Sequence, residues 1–553
     1  GKGQDALASA DIAIEEHYGD LGKRPSALFM MGDQIYADDV ADPLSRFLTD
    51  LGEELIGQKE ELTKIEPTLN KQPFKSSLYK INGRQFIMER FAKFSSTNAS
   101  NHLIQFGEFA AMYLLSFGPQ LWDLAMNDGV FDSFEKKVEH DDFYFVFPEI
   151  QSDVHKQEYY QLKGRYHEQL QDIEQFQQTL GRVRRAFANV PTYMIFDDHD
   201  ITDDWNLTID WKNKVEHSSL GRHVIANGLC AYWLFQGWGN DPDVFHSNFK
   251  QTISEYLRVV QLDTPIYNDY VRKLCEFDSW HYIAPTKPMA VVLDTRTWRG
   301  FDPTPEPTKI GGVIEENIRS PKLISREGWK HITKRLRKSG WRSGQQLIIV
   351  SATPLYGIGL IESFLDDYVY PLRTLGFSVH TMLDFEAWKY NGEAFNEFQQ
   401  WVADWNPSQC FILSGDVHYA SSVVSKVNFP DGRVSNLFQF TSSPMNNMSF
   451  SGVWGFLMKR IIWLNTLKRK REIFYRYCSE TSDLSFLEND ESCPETYQWK
   501  ETIQYLATEG NDIIETENNL GLLSIGEYTV QNSLLQYFGL HQKKIDYDKL
   551  SLQ

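Results

Sequence analysis

The stretch Ala27-Leu28-Phe29-Met30-Met31-Gly32-Asp33-Gln34-Ile35-Tyr36-Ala37-Asp38-Asp39 decides how this chain folds, because an apolar run ends there in glycine and acidic side chains. The run predicts a buried strand, and Gly32 permits a sharp turn that puts Asp33 just past the strand's carboxyl end. Open α/β sheets hold their ligands at that edge. Because neighbouring carboxylates repel one another, the stretch predicts a bound cation; a solvated acidic loop that caps the next helix is the alternative.

Two further apolar runs end in the same way. Residues 190–196 predict a strand and are followed by acidic residues that include Asp198 and His199. Residues 410–413 predict another strand, and Asp416 and His418 follow it. A single His after a strand would indicate a structural residue. Carboxylates cannot share a buried crevice without compensation, so the three strand ends together predict a metal site.

Strands are also predicted at 289–293 and 347–350. The first is followed by Asp294, Arg296 and Arg299, and this group favours a structural ion pair over an arginine clamp for an anion. The second leads into Ser351, a neutral hydroxyl.

The region between the first two strand ends, 41–190, predicts a mainly helical insertion. Its clearest helix covers about 157–189, where apolar residues recur at three- and four-residue steps: Tyr159, Leu162, Tyr166, Leu170, Ile173, Phe176, Leu180, Val183 and Phe187. This stripe indicates core packing rather than a cofactor site.

Composition narrows the class of protein. A hydrophobic share of 42% is ample for a large core and argues against disorder. The net charge of -20 disfavours nucleic-acid binding, which depends on Lys and Arg neutralising phosphates. The five scattered cysteines indicate neither a disulfide framework nor a cysteine-based zinc motif. With no signal peptide or transmembrane run recognised, a cytoplasmic location is the default expectation.

The ordered set of motifs resembles the alkaline phosphatase D-like (PhoD-like) branch of the calcineurin-like metallophosphoesterase superfamily. The resemblance extends from near the start to about residue 420 and is carried by Gly32-Asp33-Gln34-Ile35-Tyr36, Phe196-Asp197-Asp198-His199-Asp200 and Ser414-Gly415-Asp416-Val417-His418. Leu293-Asp294-Thr295-Arg296 and Gln236-Gly237-Trp238-Gly239-Asn240 are also similar to that branch.

The resemblance implies an α/β fold, a two-layer β-sandwich flanked by helices, as a single domain over 1–553 with the insertion at 41–190. It implies hydrolysis of phosphodiesters or phosphomonoesters by a metal-activated hydroxide. The metal ligands carried over by position are Asp33, Tyr36, Asp198, Asp416 and His418. His199 takes the position of the catalytic histidine. Asp203 and Arg296 are the substrate-binding candidates, and Asp203 or Asp204 is a further candidate oxygen ligand.

Two departures from the family pattern bear on the metals. The family's first metal-binding strand should precede Asp33, so the resemblance implies that the chain is a fragment or that another element fills the gap. Ser351 stands where many relatives have a histidine ligand. Oxygen ligands therefore dominate, and two or more ions are expected, either iron with calcium or else manganese or zinc. The expected partner is a small phosphorylated substrate or a phosphodiester.

Residues 440–553 predict a C-terminal extension that contains a closing hairpin over 520–538. Within it, 453–477 is basic and amphipathic, with Lys468 and Arg471 among its charges and Trp454 and Trp463 among its aromatic residues. This pattern has two interpretations: the segment packs on the domain, or it contacts an anionic membrane surface. The alternative function is therefore a catalytically inactive relative that binds a membrane surface or a partner.

Overall fold

The computed structural model describes residues 3–301, 321–357, 392–417, 419–443, 473–479, 484–487, 497–510, 512–539 and 541–552, with residue 388 and the backbone of 307–310 and 313–316. The chain divides into two compact units, Gly1–Trp280 and His281–Gln553, and each is described by itself. Among the described helices, none has both the length and the apolar character needed to cross a membrane. The predicted domain boundaries stay predictions.

The first unit is mainly helical and contains two short strands. Its elements are α1 Ala8–Glu16, β1 Leu28–Met30, α2 Asp42–Ile56, α3 Phe74–Ser77, α4 Gln85–Ile87, α5 Phe106–Phe117, α6 Trp122–Asn127, α7 Phe134–Glu139, α8 Ser152–Asn189, β2 Thr192–Met194, α9 Ile209–Glu216, α10 Ser219–Tyr232, α11 Trp238–Asn240, α12 Ser247–Val259 and α13 Pro265–Cys275. Shorter turns of 3-10 or π helix join several of these helices, and the π turn Met88–Ala92 is used below.

The long helix α8 confirms the helix predicted from the apolar stripe. Leu162, Tyr166, Ile173, Leu180 and Val183 are buried along it, so the stripe packs into the core as expected. The helix begins five residues before the predicted start, because its first turn is exposed and carries no apolar periodicity.

Two sets of ion pairs connect α8 to α1 and to the start of α2. Arg182 and Arg185 both contact the buried carboxylate of Asp11 on α1. Arg165 donates to both carboxylate oxygens of Asp42, at 2.9 and 2.8 Å, where α2 begins. Bidentate pairing of this kind restricts geometry as well as adding energy, so α8 holds the start of α2 in place.

The second unit is built on a ten-stranded mixed sheet. Its elements are β3 Tyr282–Ala284, β4 Met289–Val292, β5 Pro307–Ile310, β6 Val313–Glu316, α14 Arg326–Lys338, β7 Leu347–Ser351, α15 Gly392–Trp405, β8 Cys410–Ser414, β9 Ala420–Asn428, β10 Val434–Thr441, β11 Ile473–Ser479, β12 Leu484–Leu487, β13 Tyr497–Tyr505, β14 Ile514–Glu515, β15 Leu520–Ile525, β16 Thr529–Phe538, β17 His541–Asp546 and β18 Leu550–Ser551. In the described part of the chain, the sheet order is β12-β11-β13-β9-β10-β8-β7-β4-β3, and β14 pairs with β9.

The middle of this sheet is parallel. β4 pairs with β7, β7 with β8 and β8 with β10, so the carboxyl ends of four strands lie at one edge. The apolar side chains of these strands are mostly buried, and several of them belong to one core cluster with those of α14 and α15. Within this cluster, Trp329 of α14 packs against Phe398 of α15. The three strands predicted for this region, at 289–293, 347–350 and 410–413, are therefore confirmed. The fold class is mixed α/β.

The C-terminal region contains the predicted hairpin. β15 and β16 pair antiparallel, and with β17 and β18 they form a four-stranded sheet. Most of the basic amphipathic segment, 453–472, lies outside the described residues, so its membrane contact stays a prediction.

Candidate metal centre

The centre starts from the parallel pairing of β1 and β2, which brings two acidic turns to the same sheet edge. Leu28 pairs with Thr192 and Met30 with Met194, and the amide of Ile195 donates to the carbonyl of Met30 at 3.1 Å. Because the strands are parallel and in register, the residues that follow them emerge side by side. Asp33 and Asp198 come from these two turns.

Gly32 makes this approach sterically feasible. Its φ is +123°, and a Cβ atom added there would lie 2.5 Å from Cβ of Asp197. Real Cβ atoms do not come that close, so a side chain at position 32 would push the two turns apart. The glycine predicted to permit a sharp turn therefore also permits the close contact between the turns.

Asp200 ties the two acidic turns together through backbone hydrogen bonds. Its carboxylate accepts from the amides of Asp33 at 2.9 Å, Ile35 at 3.1 Å and Asp197 at 2.9 Å. Burial and the Asp33 carboxylate raise the pKa of Asp200 well above its ordinary value, while the amides of Asp197 and Ile35 act in the opposite direction. Sequence reasoning placed Asp200 within a motif and gave it no role.

Asp33, Asp198 and His199 form the cluster that could hold a metal ion. Each offers one ligand atom, and these atoms lie within 4.8 Å of one another. Asp198 is buried and Asp33 is half-buried, so water screens the repulsion between the two carboxylates only in part. Oxygen and imidazole nitrogen donors suit a divalent transition metal, and the donor set fits the predicted ion.

The imidazole of His199 is fixed from two directions. Its ring stacks on the ring of Tyr36, with centroids 4.5 Å apart and planes at 25°. Its Nδ1 lies 3.0 and 3.1 Å from the two carboxylate oxygens of Asp38. Burial lowers the pKa of His199, but attraction from Asp38, Asp198 and Asp33 outweighs it and raises the pKa well above the ordinary value.

Asp38 belongs to the acidic stretch for which a loop that caps the next helix was the alternative to a bound cation. α2 begins at Asp42 with Ala41 at its N-cap position, so the cap reading is wrong for Asp38. The side chain is 1% exposed. Burial would raise the pKa of Asp38, but His199 outweighs burial and lowers the pKa to about 2.

Tyr36 and Asp203, two residues predicted for the site, also lie in this centre. The Tyr36 hydroxyl is 3.4 Å from a carboxylate oxygen of Asp33. The backbone amide of Asp203 donates to Asp38 at 3.1 Å. The neighbouring Asp204 accepts from the hydroxyl of Ser95 at 2.8 Å, which links the turn after β2 to the helical insertion.

The motif Gln236-Gly237-Trp238-Gly239-Asn240 supports the end of β2. The sequence predicts a turn at 237–242, but the helical path continues through α11. The side chain of Asn240 accepts from the amide of Met194 at 3.2 Å and donates to the carbonyl of Met194 at 2.7 Å. Asn240 thus completes the hydrogen bonding of a strand that has β1 on its other side.

The other predicted residues belong to the second unit or lie outside the described residues. The Asp294 carboxylate accepts from the amides of Arg296 at 3.0 Å and Thr297 at 2.9 Å, so it organises its own turn. Arg296 is 1% exposed. Asp416 follows β8 with a φ of +61°, and His418 is outside the described residues.

Ser351, the residue at the position of a histidine ligand in many relatives, is engaged in structural hydrogen bonds. Its hydroxyl donates to the carbonyl of Thr353 at 2.8 Å and accepts from the indole of Trp388 at 3.2 Å.

Replacing Asp200 with asparagine should lower both metal affinity and thermal stability. Both carboxylate oxygens of Asp200 accept hydrogen bonds, but asparagine has only one acceptor oxygen in its side chain. At least one backbone N–H of the two acidic turns therefore loses its partner, at a cost of about 1–3 kcal/mol. Because this hydrogen bonding orients the candidate ligands, metal affinity should fall about 10- to 100-fold. Thermal unfolding with and without added Mn²⁺ measures both effects.

The exposed residue Asp210 on α9 gives the control for this prediction. Asp210→Asn removes a surface ion pair with Lys214, and it should change neither the melting temperature nor the metal affinity. An Asp200→Asn protein with wild-type melting temperature and metal affinity would contradict the role given to Asp200.

Comparisons with known proteins add little to this geometry. No family model matches the chain, and no curated protein matches it. One solved structure, described as "Structure of PhoD", is similar to the chain at 9% sequence identity and a TM-score of 0.39, covering 100% of this chain and 69% of that one. A TM-score this low carries no argument about fold or function.

Proposed function

We propose that this protein is a metal-dependent hydrolase of phosphate esters. The observation that carries the proposal is the convergence of Asp33, Asp198 and His199 beyond two parallel strands. These three residues are also central to the motifs that resemble the PhoD-like phosphoesterases. Two carboxylates and an imidazole at this spacing are poorly explained as a structural cluster, because neighbouring carboxylates repel one another without a cation.

The metal ligands proposed from the geometry are Asp33, Tyr36 and Asp198. Asp416 and His418 stay predictions from the motif resemblance. A metal bound to such residues lowers the pKa of a water molecule and offsets charge on phosphate oxygens. Two or more ions, a two-layer β-sandwich and membership of the superfamily are parts of this proposal. Asp203 is proposed to contact the substrate, and Arg296 stays a prediction from the motif resemblance.

His199 lies close enough to Asp33 and Asp198 to bind a metal, but we propose that its imidazole instead gives a proton to the leaving oxygen. Its Nδ1 is tied to Asp38, so Nε2 is the nitrogen that remains for the substrate. The Asp38 carboxylate favours the charged imidazolium, and the ring stacked on Tyr36 is limited in its rotation. A histidine held in this manner is suited to general acid catalysis.

The test combines metal loading with a pair of chromogenic substrates. Purified protein is loaded separately with Mn²⁺, Zn²⁺ or iron with Ca²⁺, and hydrolysis of bis(p-nitrophenyl) phosphate and p-nitrophenyl phosphate is measured. The wild-type protein should hydrolyse at least one of them in a metal-dependent manner. His199→Ala should lower kcat by about 100-fold or more, because the leaving oxygen loses its proton donor.

The control for His199→Ala is His217→Ala, which removes an exposed histidine bonded to the Asn213 carbonyl on α9. This control should retain wild-type activity. Wild-type protein that retains no metal, together with hydrolysis that is unchanged in His199→Ala, would refute the enzymatic proposal.

A further inference from the structure

We propose that Ser96, a residue of the helical insertion, is a positioning residue for His199 that acts through Asp38. The inference rests on the proposed function, because it gives the insertion a part in the same reaction. Ser96 is 103 residues before His199, and no sequence motif includes it.

The side chain of Ser96 contacts the carboxylate of Asp38 directly. The Ser96 hydroxyl donates to Oδ2 of Asp38 at 3.1 Å, and both side chains are 1% exposed. The same oxygen accepts from the backbone amide of Asp203 at 3.1 Å and lies 3.1 Å from Nδ1 of His199. Hydrogen bonds to a buried carboxylate are among the stronger ones in proteins.

The hydroxyl proton of Ser96 is directed at Asp38. The amide of Asn98 points to Oγ of Ser96 at 3.4 Å, which occupies the hydroxyl as an acceptor. The proton is then available for Asp38. The carbonyl of Ser96 accepts from the side chain of Gln85 at 2.9 Å, so the residue is held by its backbone as well as its side chain.

The segment that carries Ser96 is rigid. Lys93 ends the preceding turn of π helix in a left-handed conformation, with φ of +66°. Phe94 is buried and stacks on Trp211, with ring centroids 5.8 Å apart. α10 packs close by, because a Cβ atom on Gly221 would lie 2.4 Å from the carbonyl oxygen of Ala92.

These contacts specify how the carboxylate of Asp38 is oriented. Two donors, Ser96 and the amide of Asp203, come to one oxygen from different parts of the chain. The carboxylate plane is then fixed where both oxygens reach Nδ1 of His199. Loss of the Ser96 hydroxyl frees Asp38 to rotate, so the imidazole spends less time in the reactive orientation.

The test is a double-mutant cycle on kcat. Ser96→Ala should lower kcat about tenfold, while KM and metal content stay at wild-type values. In an Asp38→Asn background, Ser96→Ala should have no further effect on kcat, because the hydroxyl acts only through Asp38. Thr97→Ala is the control, since Thr97 is the exposed hydroxyl residue that follows Ser96. Ser96→Thr, which keeps the hydroxyl, should retain most of the activity.

A second measurement does not depend on catalysis. In protein with ¹⁵N-labelled histidine, the downfield Nδ1–H proton of His199, assigned by its loss in His199→Ala, should shift in Ser96→Ala and not in Thr97→Ala. The proposal for Ser96 would be overturned if Ser96→Ala lowered kcat equally in the wild-type and Asp38→Asn proteins. An Nδ1–H signal that does not shift in Ser96→Ala would also overturn it. The two proposals can fail separately. If the wild-type protein hydrolyses no phosphate ester but the Nδ1–H signal still shifts in Ser96→Ala, the proposed function is refuted and the positioning role of Ser96 is supported.

Discussion

Replacing Asp33 with asparagine should lower kcat/KM for phosphate-ester hydrolysis by about 1,000-fold, equivalent to about 4 kcal/mol of transition-state stabilisation. The change removes one negative charge from the cluster with Asp198 and His199. Asparagine is the suitable replacement, because Asp33 has a φ of +55° and asparagine tolerates this left-handed conformation. The loss can then be attributed to the carboxylate and not to a disturbed turn. Steady-state kinetics and metal analysis of the same samples measure the effect.

The control is Asp210→Asn, which removes an exposed carboxylate that pairs with Lys214 on α9. It should leave kcat/KM within about twofold of the wild-type value, because surface charges are screened by water and salt. Treating wild-type protein with a chelator should abolish activity, and adding back the metal should restore it. If Asp33→Asn kept both its metal and its rate, Asp33 would not be a ligand.

The second large effect concerns a buried ion pair within the first unit. Arg84 and Glu108 pair at 2.6 and 3.0 Å with side chains 4% and 1% exposed. Arg84 also donates to the carbonyls of Leu78 and His102, and the Thr49 hydroxyl donates to Glu108. The pair joins α2, α5 and the segments between them, where several backbone groups depend on it.

Arg84→Met should lower the free energy of unfolding by about 3–5 kcal/mol, because the Glu108 carboxylate stays buried without its partner. The exposed pair of Arg46 and Asp50, at 2.9 Å, offers the control. Arg46→Met should cost less than about 1 kcal/mol. Urea denaturation of the three proteins measures the difference, and equal losses in the two variants would contradict the importance given to burial.

The same pair predicts how the effect depends on pH. Burial alone would raise the pKa of Glu108, but Arg84 and the hydrogen bonds to the carboxylate lower the pKa below its ordinary value. A lowered folded-state pKa contributes stability above the unfolded-state pKa and loses it as pH falls through the folded-state value. In Arg84→Met, burial still raises the pKa of Glu108, and the guanidinium that lowered this pKa is gone. The destabilisation should therefore be greatest at neutral pH and smaller below about pH 4.

Local sequence patterns were sufficient to predict five of the strands before the C-terminal region and where they end. Apolar runs that stop at glycine, serine or acidic residues predicted β1, β2, β4, β7 and β8, and all are present. The apolar stripe predicted α8 for the same reason, since strand and helix periodicity is visible within a window of neighbouring residues. Parallel pairing of β1 with β2 then accounts for the meeting of Asp33 and Asp198, which their matching positions after the strands indicated.

The hydrogen-bond partners were decided only by the tertiary structure. Asp38 contacts Ser96 across 58 positions and His199 across 161, and no periodic pattern connects residues so far apart. Sequence alone determined that acidic side chains follow short apolar strands, because an apolar run and its end are local features. The burial predicted for β1 is only partial, since all three of its residues are half-buried. Which acid binds backbone amides, as Asp200 does, and which orients His199, as Asp38 does, depends on how the helical insertion packs over the strand ends.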